Sequence, residues 1–231
     1  KLTKPPFRGT IFDFPDLMRE ADPSAFRELS FVEQSERNMF DRRLDRFETF
    51  GVFVFQATFA DREPIEVAVN REFETQQAAR QQAEFYAQAF GRLPLFLRQE
   101  IDALHIQAGD RLFGGGRNVL IHTEQGQKYH RDGILEETLG HEAAHALDRK
   151  YARHPDWKAA QEKDPQFIST YAQENPYRED IAESIIPYFA VRLRPERITA
   201  EQRATIEQAI AARMAYLDSL QPKGFFGDEV N

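Results

Sequence analysis

Two periodicities divide this chain, and their order limits the folds open to it. Residues 50–59 (FGVFVFQATF) and 65–70 (IEVAVN) alternate in the period-2 manner of strands, whereas from residue 132 onward nearly every segment repeats at helical spacing. Strands followed by helices, rather than strands alternating with helices, predict an α+β fold. The expected form is a small N-terminal β-sheet with helices, followed by a mostly helical half. A chain of 231 residues with 41% hydrophobic content suffices for one good core. It contains no cysteine, which excludes a disulfide scaffold and thiolate chemistry.

Within that frame the segments read in order. Residues 1–22 hold Pro5, Pro6 and Pro15 among mixed aromatics and charges, and predict an irregular arm. Residues 24–37 suit one short helix. Residues 60–64 (ADREP) supply turn chemistry between the two alternating segments, so the three together predict a β-hairpin. Residues 75–90 form a helix on the spacing of Ala78, Ala79, Ala83, Phe85, Tyr86, Ala89 and Phe90, with Thr75 as N-cap and Gly91 as stop. Pro94 opens a second, short helix to about residue 101. Residues 103–107 and 118–123 suit short strands. The Gly114-Gly115-Gly116 run between them lacks the Lys-Ser/Thr ending of a phosphate loop and leads into a strand, so a flexible rim is the expectation. Helices follow at 132–151, 155–163, 166–173, 176–193 and 199–220. The expected domains are an arm with a short helix over 1–47 and a larger domain over 48–231, or one continuous domain over 1–231.

Charge narrows the function classes. Thirty basic residues against 38 acidic give a net charge of −8. Such a chain lacks the basic footprint of a nucleic-acid binder, and anionic lipid would repel it. No apolar run approaches the roughly 18 residues of a spanning helix, so no membrane insertion is expected. The chain opens at Lys1 rather than Met, which suggests an upstream segment removed on export. A secreted or periplasmic location is therefore expected, with the cytoplasm as the alternative. Oligomeric state is not indicated.

The chemistry concentrates in His141-Glu142-Ala143-Ala144-His145, an H-E-x-x-H string in the middle of a long helical pattern. Histidines four apart project from one side of a helix and can grip a single zinc ion. On a helical wheel His141, His145, Thr138 and Asp148 share one sector, while Leu135, Leu139, Ala143, Ala146 and Leu147 occupy the next. Glu142 falls between the two, placed to act on a zinc-bound water without serving as a ligand. A catalytic zinc wants a third protein ligand and an open position. Downstream, Glu179 and Glu183 are four apart, and either suits the third ligand, with the other as a supporting carboxylate. Pro187 removes a hydrogen bond to the Glu183 carbonyl and predicts a kink. Tyr171 is a candidate donor to an oxyanion. His122 and His130 read as structural or solvent-exposed. Asp148 suits orienting an imidazole or pairing with Arg149 or Lys150.

Taken together, His141-Glu-Ala-Ala-His145-Ala-Leu-Asp148, Tyr171 and Glu179-Asp-Ile-Ala-Glu183 resemble the gluzincin zinc metallopeptidases, and within them the anthrax lethal factor and Pro-Pro endopeptidase group. The resemblance covers about residues 118–193. It implies a zincin-like catalytic domain in which Glu179 is the third ligand and Glu183 a supporting carboxylate. It also implies that Tyr171 is the transition-state donor, with Tyr177 as the fallback because the spacing from Tyr171 to Glu179 is one residue longer than in that group. Residues 117–123 resemble the edge strand on which such proteases lay an extended substrate. The whole chain is also similar to exported bacterial proteins.

The expected function is a zinc-dependent endopeptidase holding one Zn2+ and acting on a protein or peptide substrate. Its catalytic residues are Glu142 and Tyr171, and its metal ligands His141, His145 and Glu179. Two other readings stand beside it: a non-catalytic zinc-stabilised binding or adhesion module, and an intracellular regulatory protease.

Overall fold

The structure, a computed structural model, describes residues 4–220. Residues 1–3 of the expected arm and 221–231 of the expected larger domain lie outside the described residues. The fold is α+β, with a five-stranded sheet followed by a mostly helical region. Its contacts divide it into two compact units, Met18–Ala146 and Lys1–Leu17 together with Leu147–Asn231.

The unit Met18–Ala146 is built on the sheet. Its strands are β1 (Phe26–Asp41), β2 (Arg46–Phe59), β3 (Ile65–Asn70), β4 (Ala103–Gln107) and β5 (Asn118–His122), in the order β1-β2-β3-β4-β5. The predicted hairpin is present: β2 pairs antiparallel with β3, Val52 opposite Asn70 and Ala57 opposite Ile65. β3, β4 and β5 run parallel, and parallel neighbours need a crossover. Helices α1 (Gln76–Gly91) and α2 (Leu95–Arg98) provide the first one. Thr75 caps α1 as predicted, its side chain accepting from the Ala78 N–H. Ala79, Ala83, Tyr86, Ala87 and Phe90 of α1 are buried. Every residue of β4, and all of β3 except Glu66, is buried as well, as expected where a sheet is covered on both faces.

Two segments here depart from the sequence reading. Residues 24–37 are not a short helix. They enter β1, which pairs antiparallel with β2 from Phe26 opposite Phe59 to Asp41 opposite Arg46. Three edge-to-face ring pairs join the two strands: Phe26–Phe59, Phe31–Phe55 and Phe40–Phe47. Cross-strand packing and ladder hydrogen bonds outweigh the helical propensity of the Glu, Arg and Gln residues, all but Arg37 of which line the strand's exposed positions. Residues 123–131, of which the strand pattern covers only Thr123, form helix α3 (Thr123–Arg131) and carry His130. Gly126 sits inside α3 because a Cβ there would overlap the Tyr86 hydroxyl. The next helix, α4 (Leu135–Tyr151), starts after Gly133, whose φ of 67° suits glycine.

The other unit contains α5 (Pro155–Lys163), α6 (Thr170–Glu174), α7 (Asp180–Arg192) and α8 (Ala200–Ser219). α5 matches its predicted span. α8 begins on a capping box between Thr199 and Gln202. α6 and α7 start later than predicted. Residues 181–191 of α7 are all buried, as expected of a helix apolar nearly all round. A buried ionic knot ties the helices together. The Arg213 guanidinium on α8 donates to Asp164 and Asp180, each at 2.9 Å, and stacks on Phe167. The N-terminal arm joins the same unit: Phe7 bridges Ser169, and the Phe7 and Phe14 rings pack edge to face. Among the described residues, no helix is long and apolar enough to cross a membrane.

Candidate metal centre

α4 carries the H-E-x-x-H string, and its N-terminal half is tightly held. The Glu137 carboxylate accepts from the Met18 N–H at 2.8 Å, and Glu136 pairs with Arg92 at 2.8 Å. Burial raises the Glu136 carboxyl above its ordinary range, although Arg92 opposes the shift. One turn further on, the His141 and His145 rings stand perpendicular with centroids 5.1 Å apart. His141 is buried and His145 half-buried. A Glu142 carboxylate oxygen lies 3.8 Å from His145 Nε2.

The glycine run packs directly on this string. Gly116 donates its N–H to the Glu142 carbonyl at 3.3 Å. A Cβ at Gly115 would overlap that same carbonyl oxygen and His145 Cδ2, and would stand 2.8 Å from the Glu142 carboxylate. The expected flexible rim is therefore a close backbone approach that only glycine permits. Gly114 fixes the approach from the sheet side, exchanging both backbone hydrogen bonds with Leu120 of β5 at 3.0 and 2.8 Å. β5 is the last strand of the sheet, as an edge strand must be. At Leu120, however, its outer backbone groups already bond to Gly114 of the same chain. The expectation that residues 117–123 receive an extended substrate does not hold at that position.

The acidic segment lies in the other unit. Glu179 is not inside a helix; it occupies the cap position of α7, with φ −125° and ψ −14°. Asp148 supplies the capping bonds instead, its carboxylate accepting from the Ile181 N–H at 3.1 Å and the Ala182 N–H at 3.2 Å. The Tyr171 hydroxyl donates to Glu179 Oε1 at 3.1 Å. Burial, the Glu179 charge and this hydrogen bond push the Tyr171 phenol up to about 12. Tyr177 is half-exposed, with Arg153 and Lys158 over its ring. Asp180 is fully buried, and desolvation pushes its carboxyl up to about 6 against the pull of Arg213. The Glu183 carboxylate accepts from the Thr10 N–H at 2.9 Å.

His141, His145 and Glu179 each offer one ligand atom, and these atoms all lie within 4.8 Å of one another. Two imidazole nitrogens and one carboxylate oxygen are the donor types that zinc takes in sites with an open fourth position, so the residues fit that ion. Glu183 is outside the group, as are His122 and His130. The His122 ring is fully buried, and burial is the first cause of its lowered pKa. The His130 ring packs edge-on against Phe85 at 5.3 Å. The sequence reading missed the part played by Thr10, and no local pattern marks it. It also missed Asp148 as a cap, although the residue itself stood out. No family model, curated protein or solved structure matches the chain.

Proposed function

We propose that this protein is a zinc-dependent endopeptidase in which His141, His145 and Glu179 hold one ion. The observation that carries the reading is the convergence of those three ligand atoms within 4.8 Å, with Glu142 on the same helix as both histidines. When bound, the ion acts as a Lewis acid, making water a better nucleophile at neutral pH and polarising the scissile carbonyl.

The remaining roles belong to the chain's own side chains. Glu142 accepts the proton of the attacking water and passes it to the leaving amine. It is half-buried, 3.8 Å from His145 Nε2. Tyr171 keeps its proton, burial and the Glu179 charge both favouring the neutral phenol, and is the donor for the oxyanion. Glu183 supports α7 behind Glu179. The substrate class is a protein or peptide, and secretion or a periplasmic location is part of the same proposal.

The test combines metal content with digestion of a mixed peptide library, with and without chelator. Zinc at one equivalent and chelator-sensitive cleavage are expected. Glu142→Gln should keep the metal and lose at least about a hundredfold in rate, the usual contribution of a positioned general base. Full activity in that variant, or zinc bound without any cleavage by the parent protein, defeats the assignment.

A further inference from the structure

We propose that Thr10, on the N-terminal arm, is a positioning residue for the acidic side of the candidate centre. It supplies the hydrogen bond that Pro187 withholds from Glu183. This rests on reading the centre as a zinc site, and extends that reading to a segment far from it in sequence.

Pro187 lies inside α7 and has no N–H, so the carbonyl four residues earlier, that of Glu183, loses its helical donor. A buried carbonyl must find another partner. The Thr10 hydroxyl donates to it at 2.9 Å. The backbone N–H of the same threonine donates to the Glu183 carboxylate at 2.9 Å. One residue thus holds both the main chain and the side chain of Glu183, and both residues are buried.

Glu183 is in turn bonded to the ligand position, its N–H donating to the Glu179 carbonyl at 2.7 Å. The arm also grips the tyrosine of the site. The Arg8 carbonyl accepts from the Tyr171 N–H at 3.2 Å, and the Phe7 carbonyl from the Thr170 N–H at 3.0 Å. A single short stretch of the arm therefore holds the backbone of both Tyr171 and Glu183, and Glu179 lies between them in sequence. Threonine suits the task because it brings a hydroxyl and a free N–H to one point. Valine has its shape without the hydroxyl.

The test is a double-mutant cycle in the full-length chain, read by zinc affinity in a chelator competition. Thr10→Val should weaken zinc binding about tenfold, the equivalent of one buried hydrogen bond. Thr10→Ser should stay within about twofold of the parent, since it keeps the hydroxyl. Pro187→Ala returns an N–H to α7, so in that background Thr10→Val should cost less than about twofold. A merely space-filling Thr10 would show no such dependence on residue 187. Where Thr10→Val alone does not fold, the comparison of Thr10→Val/Pro187→Ala with Pro187→Ala carries the test. Failure of that pair to fold overturns the proposal. Unchanged affinity in Thr10→Val, or an equal loss with and without Pro187, overturns the positioning role while the zinc reading stands. A parent protein that binds no zinc sinks both.

Discussion

Gly115→Ala is the substitution whose effect follows most directly from geometry. The added methyl would meet three atoms: the Glu142 carbonyl oxygen, His145 Cδ2 and, at 2.8 Å, the Glu142 carboxylate. The first is helix backbone and cannot swing aside. Relief therefore requires the glycine loop to lift or α4 to shift. Overpacking of this kind costs about 1–3 kcal/mol, and the backbone clash puts the expectation at about 2–3. For a chain of this size each kcal/mol lowers Tm by about 2–4 °C, so a fall of about 4–12 °C is expected in the metal-free protein. Zinc affinity should drop at least about tenfold, because moving the His145 ring by a few tenths of an ångström costs about 1.4 kcal/mol or more in coordination. Gly114→Ala is the control. Its Cβ would stand 3.3 Å from the Arg42 guanidinium and 3.5 Å from Leu120, contacts that a shift of a few tenths of an ångström at a side-chain end relieves, so both quantities should change little. Thermal denaturation and chelator competition measure the two effects. A Gly115→Ala protein with parental Tm and parental zinc affinity would refute the packing of this loop on the H-E-x-x-H string.

Two further outcomes can be checked by measuring stability. Asp148→Ala removes the carboxylate that caps α7 at Ile181 and Ala182, and should cost about 2 kcal/mol in urea denaturation and weaken zinc binding through Glu179; unchanged values for both would show the cap to be redundant. His105 is buried, and desolvation lowers its pKa to about 4 from 6.5, so it folds neutral; its contribution is complete above pH 6.5 and is lost as the pH falls towards 4, up to about 3 kcal/mol. His105→Gln should flatten the stability profile across that window, and a slope identical to the parent's would assign the loss to other groups.

The parts of this fold that could be read in the sequence are those where local pattern and tertiary demand agree. α1 shows its cap and its buried stripe, α5 its Pro start, and β2 and β3 their alternation around a turn. β1 was hidden because its charged residues favour helix in isolation, and only the partner strand supplies the rings that make a strand of it. α3 was hidden by Gly126, which reads as a loop residue until the hydroxyl of Tyr86, forty residues earlier, is placed against it. The candidate centre divides the same way. Four-residue spacing along one helix brings His141 and His145 together, so those two were legible. Glu179 and Glu183 could not be separated by spacing, because a helix was assumed across both. Glu179 in fact stands outside the first turn, and Glu183 is engaged by Thr10. Neither that contact nor the seat of Gly115 leaves any periodic trace.

The Lys1–Leu17 segment belongs to the unit whose remaining residues start at Leu147, and this has a bearing on synthesis at the ribosome. Translation delivers the arm ahead of its partners around Ser169 and Glu183, which emerge more than 150 residues later. At the usual pace of about 5–20 residues per second, that wait lasts on the order of ten seconds or more. Throughout it, the Phe14 and Leu17 side chains, buried in the folded chain, go without their eventual seat. A nascent chain of this design has reason to engage a chaperone at the arm.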